Sequence, residues 1–233
     1  MIRGIFYLFL FVPFTLFIIF TGVPATLFDP TGRWLHNYAR MWGKVALFLA
    51  GVTLEIENVG KVPTDQPVIF MGNHSSNFDI LALYAALPVR FRWIAKKELF
   101  KIPFFGFAMR RAGYIPLDRS DGRRALKSMD EAAALIRSGE SVIVFPEGTR
   151  TLDGNLLPFK RGGFMLAAKA GVPIVPFTIN GTARINPAKS IALRRGTIKI
   201  CFSDPIATTA TAGKRRDDLL ERVRESIEQR LER

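Results

Sequence analysis

The beginning of the chain is dominated by hydrophobic residues. The segment from Ile5 to Thr21 carries no charge and is almost wholly apolar. A helix of that length covers roughly 26 Å of a hydrocarbon core about 30 Å thick. Pro13 lies in its middle, where it removes a backbone hydrogen bond and bends a helix. The pattern therefore predicts a short, kinked apolar helix that ends near Gly22 and Pro24.

A second helix is predicted immediately afterwards. One face is apolar and largely aromatic, comprising Trp34, Tyr38, Met41, Trp42, Val45 and Leu49. The opposite face is polar, comprising His36, Asn37, Arg40 and Lys44. This division is typical of a helix that lies at a membrane interface. Residues 1–50 are thus predicted to form a membrane-associated two-helix motif.

Three interpretations of this motif are open: a cleaved signal peptide, a spanning helix, or a helical pair that dips into one leaflet. A signal peptide fits least well, because Arg3 is the only charge that precedes the apolar run. The amphipathic helix that follows would also serve no purpose in a secreted protein. We therefore expect a membrane protein of the inner membrane whose catalytic part stays on the cytoplasmic face.

From residue 51 to residue 233 the pattern changes to short apolar runs that alternate with helices, and it indicates one continuous domain. Strands are predicted over residues 67–71, 92–94, 114–117, 142–145, 173–179 and 197–202. Helices are predicted over residues 78–87, 123–137 and 163–170, and the mixed charges of residues 214–233 predict a solvated amphipathic helix. This alternation indicates an α/β fold with a largely parallel sheet flanked by helices.

The composition narrows the possible partners. Lys and Arg number 33 against 20 Asp and Glu, which gives a formal charge of +13. Such an excess favours nucleic acid, an anionic membrane surface or a phosphorylated substrate. No helix-turn-helix, RNP-like or zinc pattern is present, so we expect no nucleic-acid partner. The single cysteine, Cys201, and two histidines also exclude a disulfide scaffold and leave too few donors for a Cys/His metal site.

The residues best suited to catalysis follow the first predicted strand of the domain. His74 would lie in the turn, and Asp79 in the first turn of the next helix, so that the two side chains can meet. A carboxylate on one imidazole nitrogen leaves the other nitrogen free to act as a general base. The alternative is structural, with His74 capping the helix and Asp79 complementing its dipole.

A second polar cluster, Phe145–Thr151, follows another predicted strand. Its presence favours the catalytic interpretation of His74 and Asp79 over the structural one. Its Glu147, Gly148 and Arg150 suit a site that binds an oxyanion. The chain has no Walker glycine loop, Gly-x-Ser-x-Gly elbow or dinucleotide fingerprint. Nucleotide hydrolysis and serine esterase chemistry therefore lose their usual support.

Four short motifs in order resemble those of the glycerolipid acyltransferase family. The first two polar clusters match its His-x4-Asp motif (His74 to Asp79) and its Phe-Pro-Glu-Gly-Thr-Arg motif (Phe145 to Arg150). The segments Gly113–Arg119 and Val172–Phe177 resemble two further blocks of the family. One departure is Thr151, where serine is usual.

The resemblance implies acyl transfer from an acyl thioester, on coenzyme A or acyl carrier protein, to the free hydroxyl of lysophosphatidic acid. His74 would be the base and Asp79 would orient it, with no cofactor beyond the acyl donor. The substrate-binding residues would be Lys96, Arg119, Glu147, Gly148, Thr149 and Arg150. Acylation of glycerol 3-phosphate or of another lysolipid is the closest alternative, and a non-catalytic binding protein is a more distant one.

The segment Leu99–Met109 combines aromatic residues with the densest cationic stretch of the chain. Between Arg90 and Arg124, ten basic residues stand against three acidic ones. We expect this segment to contact anionic membrane lipids, and its apolar side either to line an acyl tunnel or to pack in the core.

Overall fold

A computed structural model describes residues 2–29, 31–103, 105–117, 122–188, 190–208 and 214–232. The strands are β1 (Val52–Glu57), β2 (Ile69–Gly72), β3 (Phe91–Lys96), β4 (Ile115–Leu117), β5 (Ser141–Val144), β6 (Ile174–Asn180) and β7 (Gly196–Phe202). The helices are α1 (Ile2–Ala25), α2 (Arg33–Ala50), α3 (Phe78–Ala86), α4 (Phe105–Arg111), α5 (Gly122–Arg137), α6 (Arg161–Ala170), α7 (Thr182–Ile185) and α8 (Lys214–Glu228).

All seven strands join one sheet in the order β1-β7-β6-β2-β5-β3-β4. The strands from β6 to β4 are parallel, whereas β7 is antiparallel to β6 and β1 runs parallel to β7. The predicted α/β fold with a largely parallel sheet is therefore confirmed. Because β2, β5, β3 and β6 point the same way, the loops that follow them meet at one edge of the sheet.

Helices cover both faces of the sheet, which explains why its central strands are continuous apolar runs. One face packs against α2 and α3, and its core is built around Phe70, Leu83, Phe91, Phe177 and Ile198. The other face packs against α5, α6 and α8, with Ile136, Phe164, Ala167, Leu219 and Val223 buried there. The predicted C-terminal helix is thus amphipathic, with an apolar side in the core.

The predicted two-helix motif is present, and one residue of α2 departs from its predicted place. His36, assigned to the polar face, is buried, whereas Trp34 and Met41 of the aromatic face are exposed, as an interfacial helix requires. The buried face carries small residues, because α2 lies very close to α3. A Cβ on Gly43 would sit 2.6 Å from the carbonyl oxygen of Leu81, so only glycine permits this approach.

The apolar helix α1 packs along α2 and leaves most of its own surface exposed. Trp42 of α2 donates a hydrogen bond to the Thr15 hydroxyl (2.9 Å), and Tyr7 packs on Phe78 of α3. The outer face is apolar and comprises Ile5, Phe6, Phe9, Val12, Leu16, Phe17 and Phe20. By length and composition this helix is sufficient to cross a membrane. The boundary between domains after Ala50 stays a prediction, although Tyr7 and Ala46 belong to the same buried core as β2.

Candidate active site

The catalytic pair predicted from the sequence forms at the carboxyl end of β2. The segment between β2 and α3 turns so that His74 precedes the helix and Asp79 lies in its first turn. His74 Nδ1 is 2.7 Å from Asp79 Oδ2, which confirms that the two side chains meet. The carboxylate is fully buried, whereas the imidazole keeps 15 % of its surface exposed.

The same carboxylate oxygen also organises the turn that carries the histidine. Asp79 Oδ2 accepts hydrogen bonds from the backbone N–H groups of Ser75 (2.8 Å) and Ser76 (2.9 Å). The side chain of Asn73 exchanges two hydrogen bonds with the backbone of Ile179 on β6. These bonds fix the turn from both sides, so the position of the imidazole is set before any substrate arrives.

An aromatic ring completes the support of the imidazole. The rings of His74 and Phe145 lie 3.9 Å apart and within 5° of parallel. Nδ1 is held by Asp79, and Nε2 takes no hydrogen bond from any residue that the structure describes. An imidazole held on one nitrogen and free on the other has the arrangement that a general base requires.

The side chain of Glu147 binds backbone amides of two neighbouring loops. Its side chain is buried, with Oε1 accepting the backbone N–H of His74 (2.8 Å) and Oε2 that of Leu157 (2.9 Å). Burial raises the pKa of this carboxyl group, and the two backbone hydrogen bonds oppose the rise. The two oxygens of Glu147 thus join the loop that carries His74 to the loop that follows β5, and substrate contact by this residue stays a prediction.

The rest of the second motif lies at the rim of the site. Gly148 has a φ of +72°, and its backbone N–H closes a turn onto the Phe145 carbonyl oxygen (3.0 Å). That amide is therefore not free to stabilise an oxyanion. Thr149 is exposed, and the Arg150 guanidinium donates to Asn77 Oδ1 (2.8 Å) next to the catalytic turn. Substrate contacts by Thr149 and Arg150 stay predictions.

A cavity of about 480 Å³ opens beside the imidazole. Its polar lining comprises His74, Lys96, Gly148 and Lys160. Its apolar lining comes from the sheet and from α5 and α6, and includes Ile94, Leu117, Met129, Ala132, Val144 and Leu166. Lys96 thus lines the same cavity as His74, while its contact with a substrate stays a prediction, and the cavity adds Lys160, which the sequence did not reveal.

The segment proposed for the acyl tunnel lies elsewhere. Leu99, Ile102, Phe105 and Phe107 are exposed on the surface, and none of them lines the cavity. Phe104 of the same segment, and the predicted substrate-binding residue Arg119, lie outside the described residues.

Part of the basic stretch is used to hold the protein together. Arg92 is buried and binds Glu140, and Arg111 donates to the hydroxyl and carbonyl oxygens of Thr26. These cations do not contribute to an anion-binding surface. Within the described ranges, the acidic, histidine and cysteine side chains form no group of three that could hold a metal ion.

Comparison with known proteins places this geometry in a family. A model described as an acyltransferase matches residues 53–180, which contain the His74–Asp79 pair and the Glu147 loop. The chain belongs to the acyltransferase family. In chain order the match runs from β1 to β6, so it includes the loops that carry His74 and Glu147 at one edge of the sheet.

Relatives and a solved structure agree with this assignment. The chain is 36 % identical over 211 residues to a chloroplastic 1-acyl-sn-glycerol-3-phosphate acyltransferase of Brassica napus, covering 89 % of this chain and 59 % of that protein. It is 35 % identical over 181 residues to the human alpha enzyme of the same name, covering 77 % and 64 %. It thus spans roughly three fifths of the length of the curated relatives it matches.

The crystal structure of the 1-acyl-sn-glycerophosphate acyltransferase PlsC from Thermotoga maritima superposes on this fold with a TM-score of 0.83. The two chains are 26 % identical, and the superposition covers 99 % of this chain and 96 % of the other. The likeness therefore includes the N-terminal helical pair as well as the α/β part.

Proposed function

We propose that this protein transfers an acyl group from an acyl thioester to the sn-2 hydroxyl of 1-acyl-glycerol-3-phosphate, which gives phosphatidic acid. The observation that carries the proposal is the His74–Asp79 pair at the charged mouth of a largely apolar cavity. Such a cavity suits a lipid, because it offers an apolar wall to a chain and cations to a phosphate. The names of the relatives support this acceptor.

The reaction follows from the free imidazole nitrogen. Nε2 of His74 takes the proton of the acceptor hydroxyl as its oxygen attacks the carbonyl carbon of the thioester. Asp79 stabilises the imidazolium that results, and the tetrahedral intermediate collapses with loss of the thiolate, which takes the proton back. General base catalysis of this kind contributes a factor of about 10² to 10⁴.

The acyl donor is coenzyme A or acyl carrier protein, bound as a co-substrate, and no further cofactor enters the reaction. Lys96 and Arg150, together with Arg119, are proposed to match the charge of the acceptor phosphate. The apolar walls supplied by α5 and α6 are proposed to receive an acyl chain. This location replaces the tunnel expected from the segment Leu99–Met109.

The helical pair is proposed to dip into one leaflet of the inner membrane, with the catalytic domain on the cytoplasmic face. Contacts along α1, from Tyr7 on Phe78 to Thr15 on Trp42, support a helix that stays docked on the protein rather than one that crosses the bilayer alone. Its exposed apolar face then lies among acyl chains, while cations of α2 such as Lys44 meet anionic headgroups.

The test is acyl transfer by membranes that contain the intact chain. Labelled acyl-CoA and acyl carrier protein are supplied as donors with lysophosphatidic acid, glycerol 3-phosphate or lysophosphatidylcholine as acceptor. We expect phosphatidic acid from lysophosphatidic acid, a loss of about 10² to 10⁴ in kcat for His74→Ala, and activity that stays with membranes after a high-salt wash. Preference for another acceptor would refute the substrate assignment, and full activity of the variant would refute the base.

A further inference from the structure

Lys160 lies at the mouth of the cavity. Two contacts with the loop that follows β5 hold it there. Its backbone N–H donates to the carbonyl oxygen of Pro146 (2.8 Å), which holds the residue beside the end of β5. Its side chain lies along Gly148, where a Cβ would come 3.0 Å from the ammonium nitrogen. The absence of a side chain at this glycine therefore gives the Lys160 ammonium its place at the mouth.

The order of the strands places this lysine close to the centre of the site. Strand β5 lies between β2 and β3 in the sheet. His74 follows β2, Lys96 ends β3, and Lys160 is held at the end of the strand between them. All three side chains line the same cavity.

The two lysines bring charge that no described residue neutralises. Among the residues that the structure describes, neither the Lys96 nor the Lys160 ammonium has a hydrogen bond or an ion pair. The buried acid of the loop, Glu147, has both oxygens on backbone amides. Two unpaired cations beside one cavity suit a ligand with two negative charges, and a phosphate monoester carries about −1.5 to −2 at neutral pH.

We propose that Lys160, together with Lys96, binds the phosphate of the acceptor and so selects phosphorylated acceptors over neutral ones. This inference rests on the proposed function and deepens it, because it names the residue that reads the headgroup. Arg150 does not line the cavity, and its guanidinium donates to Asn77 Oδ1 at the rim.

The experiment compares two acceptors that differ only in the phosphate, 1-acyl-glycerol-3-phosphate and the monoacylglycerol with the same chain. The measured quantity is the ratio of kcat/KM for the phosphorylated acceptor to that for the neutral one. Lys160→Ala is expected to lower this ratio about ten- to a hundredfold, which is the usual effect of losing a hydrogen bond to a charged group. The loss is expected in KM more than in kcat.

Two further variants sharpen the result. Lys160→Arg keeps the charge and is expected to retain most of the ratio. Arg161→Ala removes one positive charge from the next residue, whose guanidinium is exposed and paired with Asp217 on α8 (3.1 Å), and is expected to leave the ratio unchanged. If Lys160→Ala leaves the ratio unchanged, including the case in which kcat/KM falls equally for both acceptors, the assignment is overturned.

These outcomes are separate from failure of the proposed function. If the wild-type protein acylates neither acceptor with either donor, the proposed function itself is wrong. If the wild-type protein is active and prefers the phosphorylated acceptor, but Lys160→Ala keeps that preference, only the role of Lys160 is wrong. An unfolding temperature close to that of the wild type shows that the variant is folded, since the structural hydrogen bond of residue 160 comes from its backbone.

Discussion

The two histidines of this chain show how strongly the surroundings decide what an imidazole can do. His36 on α2 is buried among aromatic rings, with its ring centroid 5.0 Å from that of Phe91 and 5.7 Å from that of Tyr84. Its Nε2 atom has no hydrogen-bond partner among the described residues. His74 lies on the ring of Phe145, holds a carboxylate with one nitrogen and leaves the other free.

The charges around the two rings differ in sign as well. Burial, together with the nearby guanidinium groups of Arg40 and Arg92, lowers the pKa of His36 to about 4. That ring therefore stays neutral at physiological pH and serves packing. At His74 the buried Asp79 carboxylate lies 2.7 Å from Nδ1, where it can stabilise the imidazolium that the proposed reaction creates. The same side chain is thus structural in one place and suited to catalysis in the other.

Removing the carboxylate should have the largest effect, because it makes the surroundings of His74 resemble those of His36. In Asp79→Asn an amide oxygen can still accept the backbone N–H groups of Ser75 and Ser76, so the turn is expected to persist. The imidazolium loses its counter-charge, and we expect kcat to fall by a factor of about 10² to 10⁴. Steady-state kinetics with lysophosphatidic acid, together with thermal unfolding, measure the effect. A kcat within about threefold of the wild type would show that Asp79 does not support the base.

Lowering the pH should reduce the stability of the folded protein through the buried ring of His36. The unfolded chain binds a proton at His36 as the pH falls through about 6.5, whereas the folded protein resists until about 4. Stability is therefore full above pH 6.5 and declines between 6.5 and 4, by about 3 kcal/mol from this group. Denaturant unfolding of the wild type and of His36→Phe, measured between pH 7 and 4, reports the difference in slope.

The control for this prediction is activity at neutral pH. His36→Phe should retain it, because the ring lies away from the cavity and its role is packing. Unfolding free energies that fall equally steeply in both proteins would contradict the assignment of this acid sensitivity to His36.

The smallest of the three effects concerns the ring beneath the base. Phe145→Leu removes the parallel stack on His74 and leaves the hydrogen bond to Asp79 in place, so the imidazole gains freedom to rotate. We expect kcat to fall about tenfold, which corresponds to roughly 1.4 kcal/mol. Phe145→Tyr keeps the stack and should stay near the wild type. If both variants lose activity equally, the phenyl ring acts by filling the cavity wall rather than by orienting the histidine.

Much of the site could be predicted because its determinants are local. The spacing from His74 to Asp79, with good capping residues between them, is enough to bring the two side chains together at the start of a helix. Lys160 could not be found in this way. It is ten residues beyond Arg150 in the chain, and only the hydrogen bond to Pro146 and the order of the strands bring it to the cavity.

The parts of the fold that could be predicted from the sequence are likewise those with local determinants. The buried strands are recognisable in the sequence as apolar runs, and the ends of each of the six predicted strands lie within two residues of those in the structure. The strand β1 was missed because it is an edge strand whose side chains are mostly exposed. The face by which α2 packs on α3 was missed because it is built from small residues such as Gly43 and Ala46, whereas a pattern of hydrophobicity gives weight to large aromatic residues such as Trp34.

The contact between Tyr7 and Phe78 joins two parts of the molecule that are usually considered separately. Phe78 immediately precedes Asp79, so the apolar helix α1 packs behind the residue that is proposed to orient the base. A shortened protein made for solubility by deleting α1 would expose Phe78 to water and loosen the turn that carries His74. The proposed chemistry is therefore best studied with the intact chain in detergent or in a nanodisc.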